Sequence, residues 1–398
     1  MREPSAKKGK CAYCGDASAS HAFLYFDNLI FSIVDSQMSK IIKYVPKFVK
    51  DFSNSVPVFL FKTLIYFNVA HLSSEIEKAN TFRSRLIWEE AERLGIKMKQ
   101  ISFKKRTLDW YCAEINGNPF YFESIPIQPE FLNFRKDWDN KAVLKEELSK
   151  HGIPVPKYLK VSTLKFPNLK KIFSKIQKPI IIKPEIGSRS RHTITNINKL
   201  EDFKKGINIV KKISPNIIVE EHLVGHVCRA TLVGGVLAGF YKSEASSVLG
   251  DGVKTIRELI NEKDKDRQDR IESIRINEEL LFHLTRSGYE IDGILPKGES
   301  LILSHRGGRL FGGKTKEMID ELHPSFIPIF EKAARVVGLS VVGFDCIIKD
   351  PTKDASSQHW GIIECNTLPF IDLHYYALEG KPRNIARMIW NLWGINEQ

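Results

Sequence analysis

Three oxygen-bearing side chains near the C-terminus have the types and spacing to hold a hard cation. Asp345 ends the apolar run SVVGFD, and Glu364 and Asn366 stand in the next apolar run, HWGIIECN. Side chains two apart on a strand share a face, so Glu364 and Asn366 point the same way. If the two runs pair as a hairpin, turning at 350–354 around Pro351, Asp345 joins them. Carboxylate and amide oxygens suit Mg²⁺, which takes a few protein oxygens and leaves the rest of its shell to water and phosphate. Carboxylates in strands this apolar need a partner, and a Lys or Arg would serve as well as a metal. Cys365 lies between the two polar residues, faces the other way and is expected in the core.

A second group could handle phosphate. Lys183 ends the run KPIIIK and precedes a loop that carries Gly187, Ser188 and Ser190. Backbone N–H groups of a small-residue loop can cradle phosphate while a lysine supplies the balancing charge. A plain Lys-Pro strand edge is the other reading. The run NIIVEEHL ends in Glu220–Glu221 ahead of Leu223, and could offer backbone groups and one carboxylate to the amino group of a base. A solvated strand end is the alternative. Cys11 and Cys14 form a CxxC, with His21 as a third and Cys112 as a distant fourth candidate ligand for zinc, whose structural sites want four.

These residues need elements to position them. The run TFRSRLIWEEAERLGIK predicts a helix with Leu86, Ile87, Ala91 and Leu94 on one face and Gly95 as its stop. MKQISF and PFYFESI read as strands, with a turn at Asn116–Gly117 between strand-like pieces. DNKAVLKEELSKHG reads as a helix capped by Asp139 and stopped by Gly152. A hairpin is expected around Gly234–Gly235, charged helices over 251–290, strands at ESLILS and GRLFGG, and helices at PSFIPIFEKAARVVGL and PRNIARMIWNLWG. We expect a helical extension over residues 1–80, a small α/β lobe over 81–138 and a larger unit over 139–398.

Taken in order, these pieces resemble the ATP-grasp superfamily. Residues 139–394 look most like the ATP-grasp portion of cyanophycin synthetases and of bifunctional glutathione synthetases. The resemblance rests on DNKAVLKEELSKHGIPVP, IIIKPEIGSRSR, NIIVEEHLVGH, VVGFDCII and GIIECNTLPFIDLH, among others. It implies an α+β fold of two subdomains gripping ATP, preceded by the small α/β lobe and the helical extension. It implies that Lys141 and Lys183 hold ATP phosphates, that Gly187, Ser188 and Ser190 close over them, and that Glu220, Glu221 and Leu223 belong to the adenine hinge. Asp345, Glu364 and Asn366 match the ligands of two Mg²⁺ ions, with Mn²⁺ as a possible substitute. Arg229 matches an arginine that points into the site. Three features depart from the pattern. Val227 stands where an acid usually holds the ribose, leaving Glu221 or Glu244 as candidates. Arg189 and Arg191 sit in the phosphate loop. SHRGGRLFGG brings Arg306 and Arg309, which could meet an acidic substrate or an acyl-phosphate, or could be surface charges.

The implied activity is a carboxylate–amine ligase working through an acyl-phosphate on amino-acid or peptide substrates, with a protein tail as another substrate class. No Mur-ligase-like domain follows residue 398, so a single ligation is expected rather than polymerisation. A non-catalytic nucleotide-binding protein with a decayed site, associated with membrane or nucleic acid, is the alternative. His374 could touch substrate or be structural. The chain has 398 residues, 27% of them charged and 42% hydrophobic, which excludes a disordered tail. Its net charge of +13 favours anionic ligands without choosing among them. Nucleic acid is not expected as a partner, and a homo-oligomer is. Six sparse cysteines exclude a secreted disulfide scaffold and suggest the cytoplasm. The apolar stretches 23–34 and 56–70 are too short and too interrupted to span a bilayer. With Lys40, Lys43, Lys47 and Lys50 between them, they allow residues 1–80 a peripheral membrane contact.

Overall fold

The computed structural model describes residues 11–14, 20–30, 59–103, 106–128, 138–165, 167–187 and 190–395. The four lysines between 40 and 50, and Ser188 and Arg189 of the phosphate loop, lie outside the described residues.

Alternating apolar residues and turn glycines make the first sheet. Strands Ala70–Ser73, Met98–Phe103, Arg106–Ile115 and Asn118–Glu123 follow one another as an antiparallel meander. Asn116 and Gly117 join the last two with φ of 51° and 76°, the left-handed pair that an Asn-Gly hairpin turn requires. Helix Phe82–Arg93 starts at Thr81, whose side chain accepts from the Ser84 N–H, and it buries Leu86, Ile87 and Ala91. The sheet begins at Ala70, inside the stretch expected to be helical, because Ala70–Ser73 pairs with Met98–Phe103.

The second lobe is a four-stranded antiparallel sheet in the order Tyr158–Ser162, Asn216–Glu221, Ile180–Pro184, Ile194–Ile197. Helices Leu169–Lys175 and Leu200–Val210 accompany it, and Ile180, Ile182, Phe203, Ile217 and Val219 form its core. A helix at 21–30 is tied to this lobe by Asn28, which donates to the Ile213 carbonyl at 2.9 Å.

The third unit is a five-stranded antiparallel sheet in the order Thr315–Glu317, Val236–Ser243, His226–Val233, Val341–Ile348, Gly361–Asn366. Helices Lys141–Lys150 and Ile327–Val337 share a core with it around Leu144, Phe240, Phe330 and Phe344. A second core, holding Val233, Ala238 and Val341, unites this sheet with the first lobe and with helix Ile385–Asn391. Trp390 of that helix donates to the Ile87 carbonyl at 2.9 Å. A two-stranded ribbon, Ala245–Leu249 with Ser300–Gly307, carries helices Ile256–Lys265 and Glu278–Arg286 on a small core of its own.

Two local expectations are corrected. The cap of helix Lys141–Lys150 is Asn140, not Asp139: the Asn140 side chain accepts from the N–H groups of Ala142 and Val143. The run GRLFGG is not a strand. Gly308 and Gly312 take φ of 88° and 75°, and Arg309–Phe311 closes into a single 3₁₀ turn between them.

Candidate active site

Strand pairing sets the carboxylates first. Val341–Ile348 lies between His226–Val233 and Gly361–Asn366, and in this register Asp345 faces Arg229 on one side and Glu364 on the other. Arg229 grips Asp345 with two parallel bonds, Nε to Oδ1 at 2.6 Å and Nη2 to Oδ2 at 2.8 Å. Asn366 Nδ2 donates to Asp345 Oδ2 at 3.3 Å. Glu364 Oε2 lies 3.7 Å from Lys141 Nζ. A row of four charges results: Arg229 and Lys141 at the ends, Asp345 and Glu364 in the middle. Its formal sum is zero, so two adjacent carboxylates coexist without an unpaired buried charge.

The second lobe supplies the other wall. Lys183, at the end of its strand, reaches Glu220 Oε1 at 2.5 Å, and Lys145 reaches the other oxygen of Glu220 at 3.2 Å. Lys145 also donates to the Ile363 carbonyl at 3.0 Å. Burial works to raise the Glu220 carboxyl, but the two lysines outweigh it and hold it below the usual carboxylate range. Burial pushes the Lys145 ammonium down to about 7 against the pull of Glu220. Lys141 Nζ donates to the Gly187 carbonyl at 2.7 Å, so one ammonium touches both the phosphate loop and the carboxylate row.

Between these walls lies a cleft of about 820 Å³. Lys141, Lys183, Gly187, Ser190, Asp345 and Glu364 line it, together with the hinge from Glu220 to Val227. Pro156, Ile181, Leu223, Ile347 and Ile363 give it an apolar stretch of lining, the kind of surface a flat base packs against. Gly225 has φ of 155°, and a Cβ there would meet the Ile348 carbonyl carbon at 2.5 Å, so the hinge passes flush against the third sheet.

The structure brings together Lys141, Lys183, Gly187, Ser190, Glu220, Leu223, Arg229, Asp345, Glu364 and Asn366. Glu221 is at the cleft, but its carboxylate is used locally: Oε1 accepts from the Lys157 N–H at 2.8 Å and lies 3.3 Å from His359 Nε2. Glu244 lines the cleft with a hydrogen bond from Lys242 lowering its carboxyl, and is the better placed of the two acids near Val227. Arg306 requires a correction. It is neither a surface charge nor turned to the carboxylate row: its buried head pairs with Glu279 at 2.9 Å and donates to the Tyr13 carbonyl at 3.2 Å. The charge of Arg309, with those of Arg83 and Arg229, bears instead on Asp372. Burial nonetheless raises the Asp372 carboxyl, and its Oδ1 has no hydrogen-bond partner among the described residues. His374 is wholly buried between Thr231 and Glu317, which settles it as structural. Cys365 is core, as its strand parity requires. Cys112 lies in the first lobe opposite Tyr121, away from Cys11 and Cys14, and is no ligand to them.

Sequence reasoning missed two residues of the site. Lys145 is one helical turn after Lys141 and shares its face, so the spacing of the two lysines held the signal. Asp372 follows the carboxylate hairpin in an ordinary helix start, with nothing local to mark it.

Among the described residues no helix is long and apolar enough to cross a membrane. No family model matches the chain. The chain is 29% identical to a cyanophycin synthetase of Trichormus variabilis over 269 residues, covering 65% of this chain and 29% of that protein. It is 28% identical to a bifunctional glutathione biosynthesis protein of Clostridium perfringens over 272 residues, covering 64% of this chain and 34% of that protein. The chain thus spans about a third or less of the curated relatives it matches. Among solved structures, the bifunctional glutathione synthetase of Pasteurella multocida superposes with a TM-score of 0.50 and 22% identity, covering 79% of this chain and 44% of that one. The α+β units on either side of the cleft and these similarities give the chain the fold of an ATP-grasp ligase, similar over about two-thirds of its length to parts of cyanophycin and glutathione synthetases.

Proposed function

We propose that the chain is an ATP- and Mg²⁺-dependent carboxylate–amine ligase that forms an amide or peptide bond through an acyl-phosphate. One observation carries the reading: Lys183 and the carboxylates Asp345 and Glu364 line a single cleft, with Lys141 beside Glu364 and apolar side chains in the same lining. The cyanophycin and glutathione synthetase similarities point to amino-acid or peptide substrates.

In this reading the apolar lining and hinge residues Glu220, Glu221 and Leu223 take the adenine, and Glu244 serves the ribose. Lys141, Lys183 and the loop through Gly187, Ser188 and Ser190 hold the phosphates. Asp345, Glu364 and Asn366 have the hard-oxygen chemistry and the common face that Mg²⁺ needs, and a pair of ions, or Mn²⁺ in their place, would be held there. When bound, the cation neutralises charge developing on the transferred phosphoryl group. The substrate carboxylate attacks the γ-phosphorus, and ADP leaves. The amine then adds to the acyl carbon, and phosphate leaves. Arg229 fixes Asp345 and, with Arg309, places positive charge where the acyl-phosphate forms. Asp372, buried within electrostatic reach of Arg229 and with one oxygen unpartnered among the described residues, would take the ammonium of an amine substrate. Catalysis is therefore by positioning and charge, with no side-chain nucleophile.

None of the six cysteines is in a disulfide, and we place the chain in the cytoplasm. Phe23, Phe26 and Ile30 are exposed on the 21–30 helix, an apolar face for a membrane surface or for a second copy in a homo-oligomer.

The test is ADP release with ATP, Mg²⁺ and pools of amino acids or short peptides, repeated with Glu364→Gln. Stimulation by one pool that vanishes in the variant supports the ligase. ATP binding without stimulation by any pool directs the search to a protein tail. Absence of Mg²⁺-dependent ATP binding overturns the proposal in favour of a decayed site.

A further inference from the structure

Four potential ligands from two distant parts of the chain converge beside the second lobe. Cys11 precedes and Cys14 ends the 3₁₀ turn Ala12–Cys14, closed by the Cys14 N–H donating to the Cys11 carbonyl at 3.2 Å. His21 opens the following helix, and His192 comes from the end of the phosphate loop, 178 residues beyond Cys14. Their ligand atoms all lie within 4.8 Å of one another. Cys14 Sγ is 3.2 Å from His21 Nε2 and 3.4 Å from His192 Nε2, and Cys11 Sγ is 3.7 Å from His192 Nε2. A tetrahedron built on zinc–sulfur bonds of about 2.3 Å and zinc–nitrogen bonds of about 2.0–2.1 Å has sulfur–nitrogen edges of roughly 3.6 Å. The observed spacings straddle that edge.

The surroundings are those of a built site. His192 is fully buried, and its Nδ1 meets the Ile209 carbonyl at 2.8 Å. That bond requires the proton on Nδ1 and leaves the Nε2 lone pair aimed at the two sulfurs, as a backbone carbonyl does for metal-bound histidines. The knuckle is seated independently of any ion: Tyr13 lies in the core of the second lobe, and its carbonyl accepts from the His192 N–H at 2.9 Å and from Arg306. Two thiolates would balance a divalent ion, so the occupied cluster is neutral, which suits a buried place.

We propose that Cys11, Cys14, His21 and His192 form a structural tetrahedral zinc site that binds the N-terminal knuckle and its helix to the end of the phosphate loop. All four positions are filled by protein, so the site is closed to substrate and structural rather than catalytic. Binding displaces the two thiol protons to solvent. His192 is two residues past Ser190, so the ion would hold one end of the loop whose other end lies at Lys141.

The experiment is metal analysis of the full chain purified without chelator, followed by Co²⁺ substitution. The expected result is one zinc per chain and, with Co²⁺, the intense visible bands of a tetrahedral site with a thiolate-to-metal band in the near ultraviolet. Cys11→Ser, at a partly exposed position, and His192→Ala should each weaken zinc retention at least tenfold and change that spectrum. If His192→Ala does not fold, the wild-type spectrum and Cys11→Ser still decide. Less than about a tenth of a zinc per chain with no cobalt spectrum overturns the site. So does equal zinc retention in both variants, or a Cys11–Cys14 disulfide in the protein as isolated.

Discussion

Replacing Arg229 by Met probes the row of four charges directly. Arg229 holds Asp345 by two short bonds, with the side chains only 13% and 16% exposed. Breaking a buried pair by removing one partner costs about 3–5 kcal/mol, and the residual solvent contact here favours the lower end, about 3 kcal/mol. The fall in the unfolding midpoint should be on the order of 5–10 °C for a unit of this size. The sign of the cation's effect is the sharper test. With Arg229 gone, Asp345, Glu364 and Lys141 sum to one negative charge rather than zero, so the row attracts a divalent cation more strongly. At least tenfold tighter Mg²⁺ binding is expected, worth about 1.4 kcal/mol at saturating metal. Thermal unfolding of wild type and variant across a Mg²⁺ titration measures this. The variant should start lower and climb further, while ADP release drops by about 10²–10³ for want of the guanidinium. A variant that gains no more from Mg²⁺ than the wild type would refute the placement of the cation at Asp345 and Glu364.

Other outcomes follow from the same geometry. Lys183→Ala and Glu364→Gln should each lower ADP release by about 10²–10³ with the far-ultraviolet circular dichroism unchanged; normal turnover in either removes it from the site. Lys145 has a native value near 7 against 10.5 unfolded, so its burial penalty is fully present below pH 7. That penalty is relieved as pH rises from about 7 to 10.5, where the unfolded chain holds a proton the native chain has lost. Wild type should therefore gain about 1.4 kcal/mol per pH unit relative to Lys145→Met across that window, read from denaturation at pH 7, 8 and 9. Asp372→Asn should raise KM for the amine substrate while leaving Mg²⁺-dependent ATP binding as it was; an unchanged KM removes Asp372 from the amine pocket. His374→Ala should deprive Glu317 Oε2 of its partner in the core and destabilise by about 1–3 kcal/mol without altering KM for ATP.

The carboxylate hairpin was legible because strand parity is a local rule. Glu364 and Asn366 had to share a face, and two apolar runs around a Pro-containing turn had to pair. The Asn-Gly and Gly-Gly turns were legible for a similar reason, since positive φ is written in residue type. What stayed hidden depends on partners far away in sequence. His192 looks like one more polar residue in a loop until folding carries Cys11 and Cys14 against it. Arg306 and Arg309 look alike in SHRGGRLFGG, yet the glycine turn sends them to different neighbours, Glu279 for one and the surroundings of Asp372 for the other. Leu310–Phe311 between glycines has the composition of a short strand, and only the backbone angles show the turn. Asp139 and Asn140 are both good caps, and one residue of register decided between them.

Lys141 bonds the Gly187 carbonyl while standing beside Glu364, so one ammonium spans the phosphate loop and the carboxylate sheet. In the proposed ligase, phosphate oxygens entering the cleft would compete for the same ammonium protons, so taking up the nucleotide and releasing the Gly187 carbonyl would be one exchange of hydrogen bonds at a single nitrogen.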